Sequence, residues 1–308
     1  MTTHVFARAQ RLRLILPVLL TACAATAVPA ATAGSPGQDA VTASFQGDAR
    51  VRLGQRVVLR GAVTPARAGQ PVTLQYAPRG RAYRAVSQTV TAADGAYSLA
   101  DRPRQSGTLR AVADTGQASR PRRVLVTGRI AARGSRHVDL GRAVEISGVL
   151  EPGVTGRAVV LEARLGGRWH TVARARTRLA GRFRAAWRPS AAGDIALRVR
   201  FRGDASNTAT RLSLPAVKVY RAAPASYYGP GLYGNRTACG QTLRPGLLGV
   251  ANKSLPCGTR VTFRHRGRSV TVPVIDRGPF VGNRVWDLTA ATRNALRFPS
   301  TGTVRSTR

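Results

Sequence analysis

The chain has 308 residues, with 49 Lys or Arg against 13 Asp or Glu for a net charge of +36, and 43% of it is hydrophobic. That apolar content excludes a disordered polycation, and 32 Gly plus 18 Pro spread along the whole length exclude a helical bundle. An all-β fold is predicted, with a surface so basic that it is drawn to the polyanions of whatever compartment it occupies.

At the start of the chain Arg8, Arg11 and Arg13 precede an apolar run from Leu14 to Val28 and the small residues Ala31-Thr32-Ala33. This pattern predicts an export signal over residues 1–33. The run is broken by Pro17 and is shorter than the about 20 apolar residues of a comfortable membrane span. Within it Leu20-Thr21-Ala22-Cys23 has the form of a bacterial lipobox, so plain cleavage near Ala33 and lipid anchoring through Cys23 both stay open. Either route predicts a secreted or cell-envelope protein. Nucleic acid is then a poor partner, anionic wall polymers are fitting ones, and a membrane is a partner only if Cys23 is lipidated. With Cys23 in the signal, Cys239 and Cys257 remain as one even pair. They predict a disulfide, with two buried free thiols as the alternative.

After a small-residue linker, residues 34–40, the sequence repeats. Val51-Arg52-Leu53-Gly54 with Gly61, Pro65 and Gly69 returns as Val138-Asp139-Leu140-Gly141 with Gly148, Pro152 and Gly156, an offset of 87. Tyr83 then matches Trp169 and Tyr97 matches Phe183 at an offset of 86. Within each copy apolar residues alternate over short runs broken by turn signals, the pattern of half-buried strands. Residues 41–126 and 127–219 are therefore predicted to be two Ig-like β-sandwiches. They resemble the bacterial Ig-like modules found in tandem on exported proteins, including the turn Arg202-Gly203-Asp204-Ala205. Such modules serve as spacers or binding surfaces, and the fold alone does not choose between these roles.

An extended bridge, residues 220–224, leads into residues 225–308, where the repeat is gone. This region has no Glu, two Asp (Asp276 and Asp287) and one His (His265). That set offers no metal site, and neither a metal nor a cofactor is expected. His265 is predicted to be a solvated residue of a hairpin turn. Asp276 ends the apolar strand Val272-Pro273-Val274-Ile275 and enters Arg277-Gly278-Pro279-Phe280. It reads either as a carboxylate held at a groove or as an Asx turn closed on its own backbone and paired with Arg277. Asp287 precedes a short helix from Ala290 to Arg297, with Thr289 as its N-cap.

Five ordered motifs carry a resemblance. They are Ala225-Ser226-Tyr227-Tyr228-Gly229, Thr237-Ala238-Cys239-Gly240, Leu255-Pro256-Cys257-Gly258-Thr259, Val274 to Phe280, and Val285-Trp286-Asp287-Leu288-Thr289. In order and spacing they resemble the RlpA-like (rare lipoprotein A) double-psi β-barrel family, which is related to expansin barrels. The resemblance implies a six-stranded barrel with a groove for glycan strands. In the best-known members it implies a lytic transglycosylase acting on peptidoglycan without stem peptides. It implies Asp276 as the single acid and base, and we read Asp287, Gln241, Asn252, Tyr228, Arg277 and Phe280 as groups that bind or orient the substrate. Active members carry Glu, Asp and His where this chain has Gln241, Arg244 and Asn252, side chains that cannot serve as the acid or base. A non-catalytic, expansin-like wall-binding or wall-loosening protein is the alternative. A third reading makes the tandem modules an adhesin that the barrel anchors. Thirteen Lys or Arg against two Asp from Ala225 onward give +11, which favours an anionic wall under any of these readings.

Overall fold

The structure is a computed structural model, and it describes residues 40–308. The predicted export signal, Cys23 and all but the last residue of the first linker lie outside the described residues. The described chain is all-β with one α-helix and contains a closed six-stranded barrel at its C-terminal end.

Residues 40–127 form a four-stranded and a five-stranded sheet whose facing sides share one core, including Leu59, Leu74, Tyr97, Leu109 and Val126. Residues 129–219 repeat this plan around a second core that includes Ile146, Leu161, Phe183, Leu197 and Phe201. The matched Gly and aromatic of the two copies have one cause. A methyl group on Gly61 would collide with the Tyr97 hydroxyl, and one on Gly148 with the Phe183 ring. Each module needs a glycine where an aromatic side chain and a neighbouring main-chain carbonyl both close on the strand. The buried side chain of Asn207 links the two copies, its amide donating to Arg104 O at 3.0 Å and Val126 O at 3.3 Å. Asp204 of the Arg-Gly-Asp turn is held by Arg157 at 2.8 and 3.1 Å.

Numbering the barrel strands alone, these are β1 (Thr210–Tyr228), β2 (Val250–Ala251), β3 (Arg260–His265), β4 (Arg268–Asp276), β5 (Trp286–Thr289) and β6 (Thr301–Ser306), with α1 (Ala290–Leu296) between the last two. The strands close in the order β1-β5-β2-β4-β3-β6 and back to β1. β1 runs parallel to β5 and β2 parallel to β4. Alternation along the strands turns Val261, Phe263, Val272, Val274, Trp286 and Leu288 into the interior. Trp286 is fully buried core, edge-on to Phe263 at 5.0 Å, with its ring N–H on Ser306 Oγ at 3.1 Å. Thr289 caps α1 by accepting from Thr292 N.

Residues 220–224 sit in the middle of β1, a single 19-residue strand. Its first part pairs with Gly193–Phe201 of the second module and its last part with β5 and β6. His265 differs from expectation: it ends β3, half-buried, and packs edge-on against Phe298 at 5.2 Å. The apolar residues that follow α1 draw it off the surface.

Candidate active site

The site is built by a local irregularity. Between Val250 and Ala251 of β2, the paired residues on β4 advance by two, from Val274 to Asp276. Without that step Asp276 would follow Val272 and Val274 toward the interior. With it, Asp276 comes level with Ala251, which on its other side pairs with Asp287. Irregularities of this kind re-aim side chains beside functional sites. The two carboxylates thus flank one alanine, with backbones two strand spacings or roughly 9.5 Å apart.

Asp276 is half-buried, and its Oδ1 accepts from Ala238 N and Arg277 N, both at 2.9 Å. One carboxylate oxygen is thus held by two main-chain N–H groups, and the other is left on the side of the Tyr228 hydroxyl. Asp287 is also half-buried and accepts the Ser226 hydroxyl at 2.6 Å. Burial pushes the Asp287 pKa above the ordinary carboxylate value. The Ser226 hydrogen bond and the charge of Arg284 oppose the shift, and the negative charge of Asp276 adds to it.

Tyr228 belongs to the same cluster. Its hydroxyl is buried and, among the described residues, has no partner at ordinary hydrogen-bond geometry. Burial first, then the charge of Asp276 and an approach of the hydroxyl to that carboxylate, then the charge of Asp287, raise its pKa, so it stays a neutral phenol.

The other sequence-derived residues are placed differently. Asn252 is buried, with Oδ1 accepting from Ser254 N and Leu255 N and Nδ2 donating to Val285 O. It holds the loop after β2 in place through these backbone partners. Arg277 does not pair with the Asp276 carboxylate. Its guanidinium donates to Leu255 O at 3.0 Å and to Cys257 Sγ at 3.4 Å, closing the same loop. Gln241 is exposed and close to Asp276 in the chain's path, since it closes the turn that offers Ala238 N. Its Oε1 accepts from Thr237 Oγ1 at 3.0 Å. Phe280 is 80% exposed with its ring against Gly278, so it does not desolvate Asp276. Cys239 and Cys257 form a disulfide, joining the turn that donates to Asp276 to the loop that Arg277 closes. Sequence reasoning missed Ser226 as the partner of Asp287. The motif containing it was in view, but the parallel pairing that puts the two side by side has no signature in a single strand.

The barrel that carries these two carboxylates and the phenol is matched, over residues 221–307, by a family model described as lytic transglycolase. The C-terminal domain is RlpA-like. It is 44% identical over 88 residues to the probable endolytic peptidoglycan transglycosylase RlpA of Synechocystis sp., covering 28% of this chain and 27% of that protein. It is 43% identical over 81 residues to the endolytic peptidoglycan transglycosylase RlpA of Campylobacter jejuni, covering 26% of this chain and 30% of that protein. The chain thus spans under a third of the length of these relatives. Among solved structures, Streptomyces papain inhibitor (SPI) aligns over 29% of this chain and 94% of its own, with 21% identity and a TM-score of 0.24.

Proposed function

We propose that the protein is an exported cell-envelope protein whose C-terminal barrel binds peptidoglycan glycan strands and cleaves them as a lytic transglycosylase. The observation that supports this reading is the row Asp276, Ala251, Asp287 on the barrel rim beside the Tyr228 phenol, in a domain whose relatives carry the name endolytic peptidoglycan transglycosylase. In the reaction the protonated Asp276 carboxyl gives its proton to the glycosidic oxygen as the bond from that oxygen to C1 of muramic acid breaks. The muramic 6-hydroxyl attacks C1 and loses its proton to the Asp276 carboxylate. An anhydro ring closes, no water is consumed, and the acid is restored. One well-placed carboxyl suffices, unlike in ordinary glycosidases. Asp287, held by the Ser226 hydroxyl, orients the strand from the far end of the row, and Tyr228 can donate to a sugar. The two upstream modules, read as Ig-like, carry the barrel outward from an export signal or from a lipid on Cys23.

The second reading is wall binding or loosening without cleavage, as in expansins. It is favoured by Gln241 and by Asn252, whose amide is spent on three backbone groups. Incubating the protein and its Asp276→Asn variant with denuded glycan strands separates the two. Anhydro-muramyl products from the parent alone, seen by mass spectrometry, support transglycosylation. Strand binding by both without product leaves the second reading.

A further inference from the structure

A cleft of about 650 Å³ lies between the second module and the barrel, with Ser190 on one wall and Trp286 on the other. Its volume falls within the roughly 300–1,000 Å³ of small-ligand sites, which favour boundaries between domains. Four cations line it, Arg221, Lys253, Arg284 and Arg308, and among the described lining residues there is no Asp or Glu. Two of these cations are tethered rather than loose: Arg221 Nε donates to Arg308 O at 2.8 Å and Arg284 Nε to Val281 O at 3.2 Å. The cleft adjoins the acidic row through the backbone, because Trp286 precedes Asp287 on β5 and Asn252, also in its wall, follows Ala251 on β2. Arg284 is close enough that its charge acts on Asp287.

Two cations of the cleft, Lys253 and Arg284, thus lie two and three residues along the chain from Ala251 and Asp287 of the acidic row. We propose that this cleft is a carboxylate subsite for the same glycan strand, holding the lactyl carboxylate that each muramic acid carries. The inference rests on the reading of the barrel as a glycan-binding domain and adds to it the feature by which a peptidoglycan strand is told from an uncharged one. The second module is then part of the binding surface. Selectivity of this kind comes from charge on partly exposed groups and weakens with salt.

The test uses the full chain with Asp276→Asn, so that strands stay intact, and compares denuded glycan oligomers with chitin oligomers of equal length. The two differ in the lactyl group. Denuded glycan is expected to bind roughly tenfold more tightly at low salt. Lys253→Glu with Arg284→Glu removes that preference while chitin binding persists, and Lys253→Glu alone, at an exposed side chain, removes part of it. Arg56→Glu with Arg60→Glu, exposed in the first module, makes the same change in net charge and leaves the preference intact. Equal affinity for the two oligomers overturns the inference, as does an equal loss in the first-module control. Binding of neither oligomer by the parent overturns the glycan reading of the barrel.

Discussion

Ser226 and Asp287 lie side by side on parallel strands, and the hydroxyl of one donates to the carboxylate of the other at 2.6 Å. This hydrogen bond favours the charged form of a carboxyl that burial pushes toward the neutral one. Ser226→Ala is therefore expected to raise the Asp287 pKa further. Carboxyl-carbon NMR titration of the two proteins measures it, and an unchanged or lower Asp287 midpoint in the variant contradicts the assignment.

Because the folded-state pKa of Asp287 is raised, folding takes up a proton between the unfolded carboxyl value and the higher folded one. Stability is unaffected by this group below that window, falls as pH rises through it, and stays reduced above. Asp287→Asn removes the cost while still accepting the Ser226 hydroxyl. Its Tm is expected to exceed the parent's at neutral pH and to converge with it near pH 3, below the ordinary carboxylate range. Calorimetry across that interval checks the sign, and a variant less stable at neutral pH refutes it.

Asn252 accepts two main-chain N–H bonds on Oδ1 and donates one from Nδ2 to Val285 O. Asn252→Ala leaves those groups unpaired and is expected to cost about 2 kcal/mol. Urea unfolding reads this directly. A neutral effect, with weakened glycan binding instead, would mark it as a sugar contact.

The Cys239–Cys257 disulfide closes a loop of 18 residues, for which the chain-entropy model gives about 3 kcal/mol. Replacing both cysteines by serine is expected to lower barrel stability by that order. It also loosens the turn whose Ala238 N–H holds Asp276, so any turnover drops as well. Denaturant unfolding and product yield together check this, and a stability loss near zero would contradict it.

Much of the barrel was legible because its motifs are ordered and each is local: an apolar strand running into Asp-Arg-Gly-Pro, or Trp-Asp-Leu-Thr before a helix. The alternation that buries Trp286 and Leu288 was visible in the same way. What the sequence hid depends on pairings between distant strands. The two-for-one step opposite Ala251 decides where Asp276 points, and it leaves no mark in the residues of β4 themselves. Asn252 and Arg277 were read as substrate contacts because they are polar and close to the motifs. Their backbone partners, at Val285 and Leu255, appear only when the loop is folded. The export signal and Cys23 fall outside the described residues, so they stand as sequence expectations alone.

The unbroken strand β1, Thr210–Tyr228, has a mechanical consequence. Along its contour it extends for roughly 60 Å, begins inside one module, and continues past one irregularity opposite Ile195–Leu197 to the phenol of the acidic cluster. Whatever grips the upstream modules thereby sets the compass heading of the barrel mouth. Tension along the wall would travel through a single covalent backbone to the place where the glycan lies, and the barrel would be steered rather than left to tumble on a leash.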